Sequence, residues 1–274
     1  MSGNTVSVVV AVYKKEAYLV NTIDSIISQK HRDIEIILIN DGSPDKCPEI
    51  CESYSRIEPR IKYISQENAG VVHARNRGIA CATGDYIVAF DADDIMPEDF
   101  IANLLDFALK VPNVDVIIPR AIAFGDKEGE IFFPRIDLPY ILLRNGIPNS
   151  SMFKASAIKI INGYNKNMKN GLEDWDFWLC FIEKNMILKR ADGAFYYYRM
   201  TRGSRNNMKP SERWLLKKQI YLNHKDLYEQ WRPNRLLIMM YPLIKLLVHF
   251  GVSKETIRLA KFFKLIGSIG DKNI

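Results

Sequence analysis

The chain has 274 residues, of which 47% are hydrophobic and 26% are charged, as in a globular protein of one large domain, alone or with an appendage. The formal net charge of +6 lies in the C-terminal part, because residues 211–274 hold twelve Lys or Arg and five Asp or Glu, against 26 and 27 in residues 1–210. This distribution argues against nucleic acid as the main partner, and no apolar run reaches the ~20 residues that a membrane-spanning helix needs.

Apolar β-branched runs alternate with helical patterns through the first 119 residues. The predicted strands lie at 6–12, 34–40, 61–65, 86–90 and 114–119, and the clearest helical patterns between them lie at 16–29, 70–82 and 97–110. Strands that are apolar almost throughout and alternate with helices are typical of a mostly parallel sheet covered on both faces. We therefore predict a Rossmann-like α/β fold, in which ligands bind outside the carboxyl ends of the strands.

The alternation ends at Pro119. Short strand-like pieces follow (RAIAFG, EIFFP and SSMFK), then a loop at 162–171, a helix at 172–184 and a strand at 195–200. Beyond Pro210 the chain has a helical pattern to its end. We therefore predict a first domain at 1–209, divided into halves at 1–119 and 120–209, and a helical extension at 210–274.

Acidic residues cluster directly after the fourth predicted strand, in the stretch DYIVAFDADDIMPED. Asp91 and Asp93 supply oxygen ligands on a short turn, which suits a hard cation such as Mg²⁺ or Mn²⁺ that also binds a diphosphate. Glu98 and Asp99 have a simpler explanation, because acidic residues often cap the N-terminus of a following helix.

Four further residues carry candidate chemistry. Asp41 follows the second predicted strand at the ligand-binding edge, and Arg75 lies in the helix after the third strand, where it could hold a phosphate or a base. Glu173 and Asp174 begin an aromatic-rich helix, and two adjacent carboxylates are more than helix capping needs. We expect one of them to act as a general base.

Four motifs in this order (VSVVVAVY, INDGSPD, NAGVVHARNRGIACATGDYIVAFDADD and EDWDFW) resemble glycosyltransferase family 2 over residues 5–205. The resemblance implies a GT-A fold, an inverting reaction and a nucleotide-sugar donor, with UDP as the default nucleotide. It also implies roles for single residues. Ala11, Tyr13 and Asp41 would bind the nucleobase, and Arg75 would lie near the base or phosphates. Asp91 would approach the ribose, and Ala92 would also contact the nucleotide. Asp93 would bind the divalent metal, and Asp174 would be the catalytic base.

The chain departs from the family pattern at two places. Its first motif reads AVYK, with Ala11 and Lys14 where Pro and Asn are usual, so the lining of the base pocket differs. The Gln-x-x-Arg-Trp motif of many processive synthases has no counterpart, because the SERW stretch at 211–214 lacks its Gln. This absence favours an enzyme that adds a single sugar. In the implied division of labour, residues 1–119 bind the nucleotide and residues 120–209 bind the acceptor.

The C-terminal segment predicts a peripheral membrane contact. The stretch 253–267 reads as an amphipathic helix with Lys254, Arg258, Lys261 and Lys264 near one side, and it follows an apolar run at 236–250. The alternative is that the helix packs on the domain with its lysines in water. In resembling enzymes the acceptor is often a polyprenyl-diphosphate-linked glycan, as in bacterial O-antigen, capsule or exopolysaccharide synthesis.

The remaining features favour a cytoplasmic protein. The four cysteines have no second Cys or His pair at metal spacing and are expected to be reduced, and the N-terminus lacks the basic region of a secretory signal. We therefore predict a location on the cytoplasmic face of the bacterial inner membrane. Two other functions stay open from the sequence: a metal-dependent nucleotidyltransferase, although no Gly-rich loop follows the first strand, and a non-catalytic binding protein acting through the basic tail.

Overall fold

The computed structural model describes residues 4–133, 135–201 and 208–231. Its strands are β1 (Val6–Val12), β2 (Ile34–Asp41), β3 (Ile61–Gln66), β4 (Tyr86–Asp91), β5 (Val116–Gly125), β6 (Gly129–Ile131), β7 (Met152–Lys154) and β8 (Leu188–Met200). Its helices are α1 (Leu19–Ile27), α2 (Cys47–Ile57), α3 (Val71–Ala80), α4 (Phe100–Lys110), α5 (Ala155–Ile161), α6 (Glu173–Glu183), α7 (Pro210–Asn223) and α8 (Lys225–Gln230), with a 3₁₀ helix at Tyr140–Leu142.

The strands form one eight-stranded sheet in the order β3-β2-β1-β4-β7-β5-β6, and β8 pairs with the other side of β5. The first four strands in this order are parallel, β7 is antiparallel to both of its neighbours, and β5 runs parallel to β8. The prediction of a mostly parallel sheet flanked by helices is therefore confirmed. The carboxyl ends of β1, β2 and β4 meet at one edge.

Side chains alternate along each strand, so the sheet has two buried faces. On the first face, the even-numbered residues of β1 pack with α1, α2 and α4 in one hydrophobic cluster. On the second face, α3 approaches so closely that a Cβ on Gly78 would lie 2.3 Å from Val9, and only glycine fits there. The second face is also covered by α6, whose Phe177 and Trp178 rings contact Phe153 of β7.

The strand boundary predicted at Pro119 is wrong, because the pieces at 114–119 and 120–125 belong to one strand, β5. Proline normally interrupts a sheet because it has no N–H to donate. Here Ile118 pairs with Arg190 of β8, and the next paired residue, Arg120, pairs with Phe195. The strand β8 therefore bulges opposite Pro119, which has no pairing partner in β8 and needs to donate no hydrogen bond to it.

Other helix and strand limits also differ from the prediction. The helix expected from residue 97 begins at Phe100, and β8 begins at Leu188 rather than at 195. The short helix α5 was not predicted, because seven residues between a strand and a loop give little periodic signal.

The described residues fall into two compact units, one of 4–133, 145–201 and 208–224 and one of 135–144 with 225–231. Within the second unit, the Tyr228 hydroxyl donates to the Leu142 carbonyl at 2.8 Å. The predicted boundary after residue 209 stays a prediction. The chain is helical from 210 as expected, but the segments 236–250 and 253–267 lie outside the described residues. None of the helices in the described part has the length and apolar character to cross a membrane.

Candidate active site

The sheet brings most of the predicted site residues to its carboxyl edge. Ala11 is the next-to-last residue of β1, where it pairs with Ile39 of β2 on one side and Asp91 of β4 on the other. Asp41 is the last residue of β2 and Asp91 the last of β4. The parallel topology therefore gathers two acids that are separated by fifty residues in sequence, as the strand pattern predicted.

Arg75 lies at the centre of this edge and is only 3% exposed. Its Nη2 donates to Asp91 Oδ1 at 2.7 Å and its Nη1 to Glu173 Oε1 at 2.9 Å, so one guanidinium joins β4 to the start of α6. Burial alone would lower the pKa of Arg75, but the carboxylate charges, Asp91 foremost, raise it above its ordinary value. Arg75 is thus a fixed buried cation.

Two residues that the sequence analysis did not select complete the surroundings of Arg75. Asn149 Nδ2 donates to Asp91 Oδ1 at 3.1 Å, and the Tyr164 hydroxyl donates to Asn149 Oδ1 at 2.8 Å. The Arg75 guanidinium lies 5.3 Å from the centre of the Tyr164 ring, a cation–π distance. Neither residue belongs to a recognisable motif, so no local signal could have identified them.

Asp174 lies at the start of α6, where the chain enters the helix through a strained turn. Leu172 has φ 56°, in the left-handed region that non-glycine residues rarely adopt, and such strain costs on the order of 1 kcal/mol. The Asp174 carboxylate accepts from Asn145 Nδ2 and from its neighbour's backbone, the Trp175 N–H, both at 2.8 Å. Burial, with the adjacent charge of Glu173, raises the pKa of Asp174 to about 7. A carboxylate with this pKa can exchange protons near neutral pH.

Asp41 is buried and already bonded on both oxygens. Its Oδ1 accepts from Gln66 Nε2 at 2.7 Å and from the Ala69 N–H at 2.9 Å, and its Oδ2 accepts from the Gly70 N–H at 2.8 Å. The carboxylate thus fixes the loop before α3. An ionised carboxylate has about four acceptor positions, so the predicted contact with a nucleobase N–H is compatible with these bonds.

Tyr13 and Ala92 differ in accessibility. Tyr13 follows β1, is 40% exposed, and has Lys14 Nζ 5.2 Å from its ring centre. Ala92 is 2% exposed, so very little of it can touch a ligand. The predicted nucleotide contacts of both residues stay predictions.

Asp93 is partly exposed at the same edge and forms an ion pair with Lys15, a residue that the sequence analysis did not select. Asp94, beside it, is buried and accepts from the Arg199 N–H at 2.9 Å. Burial and the charge of Asp91 raise the pKa of Asp94 well above its usual range. The partly exposed oxygens of Asp91 and Asp93 are donors that fit Mg²⁺ or Mn²⁺, and Asp93 already holds a cationic group.

A second cluster of potential metal ligands lies between α6 and the residue after α7. One ligand atom each from Asp176, Cys180 and His224 lies within 4.8 Å of the others. Burial alone would lower the pKa of His224, but bonds to Asp176 and Glu183 raise it to about 9, and burial raises the pKa of the Cys180 thiol to about 12. The contacts of His224 with Asp176 and Glu183 describe the cluster as a buried ion pair.

Comparison with known proteins identifies relatives over most of the described domain. The sequence model of Glycosyl transferase family 2 matches residues 7–165. Glycosyltransferase GlyA of Streptococcus pneumoniae is 38% identical over 128 residues, which are 47% of this chain and 18% of GlyA. The minor teichoic acid biosynthesis protein GgaB of Bacillus subtilis is 33% identical over 206 residues, which are 71% of this chain and 23% of GgaB. The chain thus spans less than a quarter of the length of either relative.

Among solved structures, S. aureus TarS (1–349) in complex with UDP-GlcNAc superposes with a TM-score of 0.66. The two sequences are 18% identical, and the superposition covers 80% of this chain and 66% of TarS. At this identity the likeness establishes the fold alone, and it confirms the predicted GT-A-like architecture.

Proposed function

Because the chain belongs to glycosyltransferase family 2, we propose that it transfers a sugar from a nucleotide-diphosphate donor, a UDP-sugar, to a hydroxyl group of a glycan acceptor. The observation that carries this proposal is the environment of Asp174. Its pKa of about 7 is that of a proton acceptor matched to neutral pH, and it lies beside Glu173, which Arg75 connects to Asp91 at the strand edge. The UDP-GlcNAc complex of TarS supports the choice of donor.

In the proposed reaction Asp174 takes the proton of the acceptor hydroxyl as the oxygen attacks the anomeric carbon. The new carbon–oxygen bond forms while the bond from that carbon to the diphosphate breaks, so the nucleoside diphosphate leaves with the bonding electron pair. A single displacement of this kind inverts the anomeric configuration. Asn145, which donates to Asp174 Oδ2, fixes the orientation of the carboxylate.

The donor would lie along the carboxyl ends of β1, β2 and β4. Ala11, Tyr13 and Asp41 would bind the base, Asp91 and Ala92 would adjoin the ribose, and Arg75 would contribute positive potential near the phosphates. Asp93 and Asp91 would hold a divalent Mg²⁺ or Mn²⁺, which when bound supplies charge neutralisation for the diphosphate. Lys15, on Asp93, places a second cation at this end of the site.

We further propose that the acceptor belongs to bacterial surface-polysaccharide synthesis and is carried on a polyprenyl diphosphate at the cytoplasmic face of the inner membrane. The relative GgaB is a minor teichoic acid biosynthesis protein, which supports the polysaccharide pathway. Neither nucleotidyl transfer nor a purely non-catalytic binding role gains support from the family match.

The first experiment is a screen of UDP-, GDP- and dTDP-sugars for nucleoside diphosphate release, with Mn²⁺, with Mg²⁺ and with chelator. We expect slow release from one UDP-sugar that needs a divalent ion and is lost in Asp93→Ala and Asp174→Asn. The matched control is Asp106→Asn, an exposed acid in α4 that should behave as wild type. If a folded wild-type protein binds none of these donors, the proposal is wrong.

A further inference from the structure

A cavity of about 390 Å³ lies outside the residues assigned to the donor, between β5, β6 and β8. The charged and aromatic side chains that line the cavity include Arg120, Glu130, Phe132, Arg190 and Asp192. Its volume is in the range of small-ligand sites, roughly 300–1,000 Å³. The bulge of β8 between Arg190 and Phe195 opens this space beside Arg120.

The position of the cavity follows from the register of the sheet. Val88 of β4 pairs with Met152 of β7, which pairs with Ile117 of β5. Asp91 and Arg120 each lie three residues beyond this row along their strands, so both side chains are on the same face of the sheet. Their strands are two strand spacings apart, which is about 10 Å. The cavity therefore opens beside the donor edge but does not overlap it.

A second connection leads from the cavity to the candidate base. Arg190 Nη2 donates to the Gly146 carbonyl at 3.1 Å, and the preceding residue, Asn145, donates to Asp174 Oδ2 at 2.8 Å. One wall of the cavity is thus continuous with the segment that positions Asp174.

The charges of the lining select a neutral ligand. Two arginines face two carboxylates, and Arg120 forms a two-point contact with Glu130, with Nε to Oε1 at 2.6 Å and Nη2 to Oε2 at 2.9 Å. A phosphate would meet the carboxylates as well as the arginines. Sugar hydroxyls both donate and accept hydrogen bonds, so they can bond to the arginine and the carboxylate of such a pair together.

Phe132 supplies the apolar part of the site. Its side chain is 81% exposed although it lines the cavity, so its ring offers a large face to a ligand. The C–H face of a pyranose ring is apolar and can cover an aromatic ring of this kind. We propose that this cavity is an acceptor subsite that binds a neutral sugar ring of the glycan acceptor, away from the reacting hydroxyl; this inference rests on the proposed glycosyltransferase function.

The test uses the full chain labelled with fluorophenylalanine, with the Phe132 resonance identified by its loss in Phe132→Leu. The probes are methyl glycosides of glucose, galactose, mannose, rhamnose, N-acetylglucosamine and N-acetylgalactosamine, with inorganic phosphate as a charged comparison. We expect one or more glycosides to shift the Phe132 signal in a saturable way, also when UDP and Mn²⁺ are present in excess. Phosphate should leave the signal unchanged.

Two variants separate a ring contact from a general apolar contact, with binding of the same glycoside measured by calorimetry. Phe132→Leu should weaken its binding about tenfold, because the flat face is lost, while Phe132→Trp should bind within about threefold of wild type. The matched control is Ile57→Ala, which removes an apolar side chain that is 77% exposed on α2 and should leave binding unchanged.

The outcomes separate this inference from the proposed function. If wild type binds UDP but no glycoside shifts Phe132, or if phosphate shifts it equally, the acceptor subsite is wrong and the donor assignment stands. If Phe132→Leu and Ile57→Ala bind the glycoside equally, the ring does not form the site. If wild type binds no nucleotide with any divalent ion, the proposed function fails whatever the glycosides do.

Discussion

Arg75 shows at the scale of one residue how the candidate site is held together. Its guanidinium is buried between Asp91 and Glu173, and a buried charge is stable only while its partners are present. We expect Arg75→Met to lower the free energy of unfolding by about 3–5 kcal/mol, because two carboxylates would lose their counter-ion. Urea unfolding followed by circular dichroism measures this loss.

The matched control for Arg75 is Arg56→Met. Arg56 forms an exposed i,i+4 pair with Glu52 on α2, and such pairs contribute only about 0.3–0.5 kcal/mol. Equal losses in the two variants would show that Arg75 is no more important to the fold than a surface residue.

Asp174 gives a prediction on pH at the same scale. Its carboxyl must be ionised to accept a proton, and its pKa is raised to about 7, so kcat/KM should rise with pH and level off above about 7. Asp174→Asn should lower kcat by about a hundredfold to ten-thousandfold. The residual activity of this variant should not show the rise with pH that is expected for wild type. Initial rates of nucleoside diphosphate release across pH 5 to 9 provide the measurement.

A second variant tests the cause of the raised pKa. After burial, the charge of Glu173 is the largest contribution, so Glu173→Gln should move the limb of the pH profile to lower pH. Asp106→Asn, on the exposed surface of α4, should leave the profile where it is in wild type. If Glu173→Gln leaves the rise of kcat/KM with pH at the same pH as in wild type, that rise reports the titration of a group other than Asp174.

At the scale of elements, His224 joins α6 to the end of α7. Its Nε2 lies 3.2 Å from Asp176 Oδ1 and its Nδ1 lies 2.9 Å from Glu183 Oε1, while Asn223 donates to Asp176 at 2.6 Å. We expect His224→Gln to lower the free energy of unfolding by about 3–5 kcal/mol, because Asp176 is fully buried and would lose its cationic partner. Urea unfolding at pH 7 measures the effect.

The raised pKa of His224 also predicts how the free energy of unfolding changes with pH. A histidine whose pKa is raised to about 9 in the folded state stabilises fully below its unfolded value of about 6.5 and loses this contribution as pH rises through 9. The stability of wild type should therefore fall between pH 7 and 10 by more than that of His224→Gln. His73→Gln, in α3, is the control. A large rise in melting temperature on adding Zn²⁺ would contradict the ion-pair description.

The elements also show which features a sequence can predict. The first four strands were predicted within one residue, because each is an unbroken apolar run that must be buried on two faces. The break at Pro119 was wrongly predicted because the bulge that tolerates this proline lies in β8, some seventy residues later. Asn149 and Tyr164 were missed for the same reason, since their roles come from tertiary contacts and leave no periodic signal.

At the scale of the whole molecule, the charge distribution predicts where the chain meets a membrane. Residues 1–210 are almost neutral, and the excess of basic residues follows them. An anionic membrane surface attracts each nearby Lys or Arg by about 1 kcal/mol, and the attraction weakens when salt screens it. We therefore expect the basic residues at 253–267 to act as a group, with an effect that scales with their number rather than with any single position.

We therefore expect the full chain to cosediment with vesicles containing phosphatidylglycerol and not with pure phosphatidylcholine. Replacing Lys254, Arg258, Lys261 and Lys264 with Gln should weaken this binding by at least a hundredfold, because four contributions of about 1 kcal/mol are lost. The matched control replaces Lys30, Arg56, Lys62 and Lys110, which are exposed on the first unit, and so removes the same charge. Equal losses would mean that net charge alone drives binding. Selective loss of binding in the tail variant would assign the membrane contact to the basic residues at 253–267.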